Sequence, residues 1–181
     1  MDAYTVFDAV LDHDARAELL DELADGGANA PQLDQGSADP SYRQGRIHWL
    51  YHHPRWDWLH AALRRLSDDA NAKWGFDVDH IESALQLTTY SPGPVGFDWH
   101  IDIGTSDIAR CRKLTVVVEI GESGLATGGG VDVMRSRDPE PIRLESGQAV
   151  VFPAFVLHRA VPPSRGERTS LVAWLSGPPL R

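Results

Sequence analysis

The chain has 181 residues, 42% of them hydrophobic and 24% charged, and 26 acidic against 17 basic side chains give a formal net charge of −9. That length suits one domain with a substantial core, and the composition is that of an ordinary soluble globular protein. The acidic balance argues against nucleic acid or an anionic membrane as a partner, because cationic surface drives association with both. The single cysteine, Cys111, excludes an internal disulfide and argues against an oxidised secreted scaffold. The N-terminus has no basic leader and no apolar run approaches a membrane span, so a cytoplasmic location is the default expectation.

The stretch DARAELLDELADGG predicts a short helix, with Asp14 as its cap, an apolar stripe of Leu19, Leu20 and Leu23, and Gly26 at its end. The segment over 26–45 is rich in Gly, Pro and Asp and reads as a loop. A second helix is expected in WDWLHAALRRLSDDANAKWG, where Trp56, Leu59, Leu63, Leu66 and Ala70 recur at helical spacing and Gly75 closes the pattern. Its Arg64–Arg65 pair reads as a solvated face.

After Ile81 the pattern changes to β-rich runs: LQLTTY, RKLTVVVEI, GQAVVFPAFVLHRAV and RTSLVAWL, separated by Gly- and Pro-rich turns. No helical pattern lies between them, which argues against parallel crossover units. Two or three helices followed by about eight antiparallel strands predict a mainly β protein, a helix-supported sandwich or jelly-roll barrel. One domain is expected over 1–181, with a helical support region over 1–80 and the jelly-roll core over 81–178. No repeat or linker interrupts it.

His100 and Asp102 stand one residue apart in YSPGPVGFDWHIDIG. With eight His and eighteen Asp in the chain, about one such spacing is expected by accident. In a strand, residues i and i+2 share a face, so both side chains are able to aim into a barrel mouth. His158, closing an apolar run, is the candidate third ligand; a satisfied core histidine is the alternative. Two His and one carboxylate with open positions form the facial set used for Fe(II) oxygen chemistry. His80 and Glu82 make a second His-x-acid pair, read as a solvated turn. His52 and His53 are adjacent, share no face, and are set aside. Arg168 opens a strand whose alternate residues are apolar. An inward guanidinium there needs an anion, and beside the three ligands it reads as a carboxylate clamp. An outward salt bridge to Glu167 or Glu145 is the alternative.

With these residues in place, the sequence resembles the prolyl-4-hydroxylase-like branch of the Fe(II)/2-oxoglutarate dioxygenases, especially its small bacterial and phage members. The resemblance runs from about Tyr42 to Pro178. A Tyr–Pro–Gly turn is matched by Tyr90, Pro92 and Gly93, with Ser91 inserted. The His-x-Asp pair is matched by His100 and Asp102, and an Arg-Lys-Leu-Ser/Thr strand by RKLTVVVEI. A glycine pair is matched by Gly128 and Gly129, and the last ligand and clamp by His158 and Arg168, followed by Ser170 and Trp174.

The resemblance implies a double-stranded β-helix, a jelly-roll of cupin-like form. It implies Fe(II) held by His100, Asp102 and His158, with 2-oxoglutarate and O2 as cosubstrates. Arg168 would take the far carboxylate of 2-oxoglutarate in a bidentate geometry that Lys does not reproduce. Tyr90 and Thr115 match positions that line or hydrogen-bond the cosubstrate pocket. Asp102 favours hydroxylation, since halogenating relatives lack that carboxylate. Arg112 matches a position that contacts substrate, with a plain surface arginine as the alternative. Trp174 and Trp99 are candidates to wall the pocket or to belong to the core, and Gln86 shares strand parity with Tyr90.

The implied substrate is an amino acid, proline-like or other, free, carrier-bound or within a peptide or protein; oligomeric state is not legible in the sequence. A nucleic-acid demethylase and a non-catalytic metal-binding sensor are the competing readings. The negative charge and the single clamp arginine weigh against the former, the intact ligand set against the latter. Gly130 departs from the pattern, since an acidic or polar residue commonly follows the glycine pair. The loops over 26–45 and 103–111 match nothing in it.

Overall fold

The computed structural model describes residues 2–26 and 45–179. Strand β1 (Thr5–Phe7) leads into helix α1 (His13–Asp25). Asp12 caps this helix in place of Asp14: its carboxylate accepts from the Ala15 N–H at 2.9 Å. Asp14 sits in the first turn, where its charge still complements the helix dipole. The helix ends at Gly26 as expected. Between Gly26 and Gly45, the loop read from the sequence and Tyr42 lie outside the described residues.

Strand β2 (Arg46–Tyr51) and a short 3-10 turn at Pro54–Trp56 precede helix α2 (Asp57–Asn71). Leu59, Leu63, Leu66 and Ala70 are its buried stripe, as their spacing predicts. Arg64 pairs with Asp68 one turn on at 2.9 Å and donates to the carbonyl of Asp79, while Arg65 is exposed. Among the described residues no helix is long and apolar enough to cross a membrane.

The remaining strands are β3 (His80–Ile81), β4 (Ala84–Tyr90), β5 (Phe97–His100), β6 (Arg112–Glu119), β7 (Gly130–Met134), β8 (Pro139–Ile142), β9 (Ala149–Pro153), β10 (His158–Val161) and β11 (Arg168–Ser176). They form two sheets, ordered β1-β9-β6-β11-β4-β2 with β3 beside β11, and β5-β10-β7-β8. Every pairing is antiparallel. Strands β4 to β11 divide equally between the two sheets and are the jelly-roll expected from the sequence.

Two expectations need correction. The region over 1–80 is not purely helical, because β1 pairs with β9 and β2 pairs with β4, both widening the large sheet. The run GQAVVFPAFVLHRAV is two strands in different sheets. Pro153, which has no N–H for a ladder, ends β9, and the chain crosses to the small sheet before His158.

Strand alternation gives the large sheet two unlike faces. Leu85, Leu87, Leu114, Val116, Leu171 and Ala173 face the helices and pack with Leu19, Leu59 and Leu63. Each fully buried leucine there contributes about 2 kcal/mol of transfer free energy. The intervening residues face the small sheet. At one end they are apolar, with Val117, Val150 and Phe152 packing on Val131, Val133 and Ile142. Gln86, Tyr90, Thr115 and Arg168 share that inner face, and a cavity opens beside them.

Candidate metal centre and its cavity

His100 closes β5 and His158 opens β10, and the two are direct partners across that antiparallel pair. Side chains of paired residues share a face, so the imidazoles lie side by side with centroids 4.2 Å apart. Each Nδ1 meets a backbone carbonyl, His100 at Asp98 (2.7 Å) and His158 at Val156 (2.9 Å). An N–H donated at Nδ1 leaves Nε2 as the lone-pair atom of each ring. Phe97 stacks on His100 at 3.7 Å, and Phe152 packs 4.7 Å from His158, which restrains both rings.

Asp102 lies beyond the end of β5, so strand alternation alone does not aim it. Its N–H donates to the Ala154 carbonyl at 2.8 Å, and its Oδ2 accepts from the Thr115 hydroxyl at 2.6 Å. The two carboxylate oxygens then face the two rings, with Oδ1 3.6 Å from His100 Nε2 and Oδ2 3.6 Å from His158 Nε2. One donor atom from each of the three residues lies within 4.8 Å of the others. Burial pushes the Asp102 carboxyl up, but the imidazoles of His158 and His100, helped by Thr115 and Trp174, outweigh it and hold the group below its ordinary value. This donor set suits a divalent transition metal such as Fe(II).

A cavity of about 260 Å³ adjoins the three residues. Arg168, Tyr90, Thr115, Gln86, Arg112 and Trp174 line it, so six of the seven other candidates gather there. Trp99 does not. It precedes His100 on the strand and therefore points to the opposite face, where the Arg159 guanidinium covers its ring at 4.8 Å.

Arg168 turns inward, with a side chain only 4% exposed. Its counter-ion is Glu119, bonded to Nε at 2.8 Å; Glu167 instead pairs with Arg46 at 3.0 Å. Arg168 Nη2 is buried and has no hydrogen-bond partner among the described residues. A buried donor left unmade is costly, so this nitrogen is suited to an anionic ligand. A cosubstrate carboxylate fits that requirement.

Arg112 lies at the cavity edge and is held on two sides. Glu82 takes it in a bidentate pair at 2.8 and 3.0 Å, and its guanidinium stacks 3.8 Å over the Trp174 ring. The solvated-turn reading of His80 and Glu82 is therefore right for His80, whose side chain is exposed, and wrong for Glu82. Strand β3 docks on the end of β11, and Glu82 just after it also accepts from Ser176 at 3.1 Å. Gln86 donates to Thr88 at 2.8 Å.

The sequence reading missed Trp49, Phe97 and Glu119. Trp49 lies on the unrecognised β2, opposite Gln86, and its ring sits 6.2 Å from that of Trp174. The parity of RKLTVVVEI offered a signal for Glu119, which shares a face with Thr115. The departure at Gly130 has a steric cause: a Cβ there would lie 2.5 Å from the Ile142 carbonyl of β8.

No protein-family model matches the chain. A PKHD-type hydroxylase of Shewanella oneidensis is 31% identical over 104 residues, 52% of this chain and 46% of that protein. One of Shewanella frigidimarina is 24% identical over 131 residues, 66% of this chain and 58% of that protein. The chain thus spans about half the length of these curated relatives. Among solved structures, a prolyl-4-hydroxylase of Pseudomonas putida superposes with a TM-score of 0.76 at 20% identity, covering 97% of this chain and 93% of that one. A prolyl hydroxylase of Trichoplax adhaerens, in complex with a hypoxia inducible factor peptide fragment, gives 0.78 at 16% identity, covering 97% and 84%. The fold is thus the double-stranded β-helix of prolyl-4-hydroxylase-like 2-oxoglutarate/Fe(II) oxygenases, the branch that the sequence motifs resemble.

Proposed function

We propose that this chain is an Fe(II)/2-oxoglutarate-dependent oxygenase that hydroxylates an unactivated aliphatic C–H of an amino acid, proline-like or other, free or within a peptide. The observation that carries the reading is the pairing of two features in one cavity. His100, Asp102 and His158 converge on one point, and Arg168, whose Nη2 is buried and has no hydrogen-bond partner among the described residues, lines the same cavity.

In this reading Nε2 of His100, Nε2 of His158 and a carboxylate oxygen of Asp102 hold the iron. Iron bound there would supply the oxidising chemistry, with O2 consumed and 2-oxoglutarate converted to succinate and CO2. The protein's own work is positional. The carbonyls of Asp98 and Val156 fix the imidazole tautomers, and Thr115 holds the carboxylate by its hydroxyl. Arg168 binds the far carboxylate of the cosubstrate, and Tyr90 lines the pocket beside it. Val117, Val131 and Val172 line the same cavity with apolar surface, which limits water at the reacting atoms. The names of the relatives support hydroxylation, and a neighbour holding a peptide supports a peptidyl or amino-acid substrate.

The test is succinate release from 2-oxoglutarate by the Fe(II)-loaded protein, alone and with a panel of free amino acids and proline-containing peptides. Turnover stimulated by one of these and abolished in His158→Ala is the expected result. Iron-loaded protein that releases no more succinate than His158→Ala, across the panel, contradicts the proposal.

A further inference from the structure

Glu119 has no role in the mechanism above, yet it is the counter-ion of the clamp. It ends β6 opposite Ser170 of β11, two residues along from Arg168. Both side chains are buried, at 4% and 11% exposure, and Glu119 Oε2 takes Arg168 Nε at 2.8 Å. Arg168 borders two spaces: the cavity holding the three ligands, and a polar cleft bounded by Gly128, Gly129 and Gly130. Glu119 borders only the second, so it holds the guanidinium from the side away from the reacting centre. The stem of the arginine is confined as well, since a Cβ on Gly129 would approach Arg168 Cδ to 3.0 Å.

We propose that Glu119 is a positioning residue that sets the depth of the clamp and thereby the length of 2-oxo dicarboxylate the site accepts. The inference rests on the dioxygenase reading. By occupying Nε, Glu119 leaves the terminal nitrogens for the ligand and fixes how far they reach into the cavity. A bidentate carboxylate match tolerates little displacement, so a guanidinium pinned at one depth selects one chain length. Shortening the anchor by one methylene draws the guanidinium back toward the glycine cleft, and a longer ligand then reaches it better.

The test is calorimetric titration of Mn(II)-loaded protein, without O2, with 2-oxoglutarate and with the one-carbon-longer 2-oxoadipate. Glu119→Gln keeps an acceptor of the same length and binds 2-oxoglutarate within about threefold of the parent. Glu119→Ala leaves Nε unpaired and binds it about tenfold or more weakly, the loss of one charge-assisted hydrogen bond. Glu119→Asp, which retains a buried carboxylate if the alanine variant does not fold, raises the affinity of 2-oxoadipate relative to 2-oxoglutarate. An unchanged ratio in Glu119→Asp, or Glu119→Gln binding as weakly as Glu119→Ala, overturns the positioning role while the dioxygenase reading stands. A parent protein that binds Mn(II) but neither dicarboxylate overturns both.

Discussion

His100 and His158 are register partners across β5 and β10, and that single cross-strand pairing builds two-thirds of the candidate metal centre. The third side chain, Asp102, depends on contacts outside the small sheet, with Thr115 of β6 and Ala154 after β9. The site is therefore assembled only when the two sheets are stacked.

That dependence makes Thr115 a sensitive position. Thr115→Val removes the hydroxyl that holds Asp102 Oδ2 while keeping the volume. Loss of a hydrogen bond that orients a ligand commonly costs about tenfold to a hundredfold in metal affinity. A competition titration with Mn(II) reads it directly, and an unchanged affinity would mean that Asp102 is aimed by its backbone alone.

Asp102→Ala is expected to abolish tight Fe(II) binding and turnover, whereas His80→Ala leaves both unchanged. His80 is solvent-exposed and interacts with Asp79, away from the cavity. Loss of iron in the His80 variant would move the metal centre to the other His-x-acid pair.

The Arg112–Glu82 pair is expected to act on stability as well as on the cavity. Glu82→Ala strands a guanidinium that is 17% exposed and already stacked on Trp174. Removing one partner of such a pair costs about 3 kcal/mol. Chemical denaturation of Glu82→Ala beside the double variant with Arg112→Ala measures it. A double variant no more stable than the single one contradicts the stranded-charge account.

Burial raises the Glu119 carboxyl above its ordinary 4.5, and the charge and hydrogen bond of Arg168 offset only part of that shift. A carboxyl whose folded value is raised stabilises the fold fully below its unfolded value, and that contribution is lost as pH rises through the folded value. The stability of the parent relative to Glu119→Gln is therefore expected to fall as pH rises from below 4.5 toward neutrality. Denaturation midpoints of both proteins across that range check the sign, and a difference that grows with pH contradicts it.

Much of this was legible in the sequence where periodicity and side-chain chemistry agreed. The stripe of α2 and the runs of β4, β6 and β11 follow from alternation and helical spacing, whereas His100, Asp102, His158 and Arg168 each had a structural alternative and were singled out together by the order and separation of the motifs that resemble the family. What stayed hidden depended on register and edges. Trp49 enters the cavity only because β2, whose buried Ile47 and Leu50 stand three apart and so show no strict alternation, pairs with β4. Trp99 leaves it because it is one residue out of phase with His100. Glu82 looked like a solvated carboxylate because nothing local announces Arg112, thirty residues on, as its partner. Asp12 won the helix cap from Asp14 by two residues, which composition alone does not distinguish.

The most direct measurement is an anaerobic titration of the Fe(II)-loaded protein with 2-oxoglutarate, followed in the visible region. The account predicts a charge-transfer absorbance as the keto acid chelates the iron, present in the parent and lost in Arg168→Ala while iron binding persists. Bound iron with no such band at saturating 2-oxoglutarate would contradict it, because the cavity beside His100, Asp102 and His158 would then serve some other ligand.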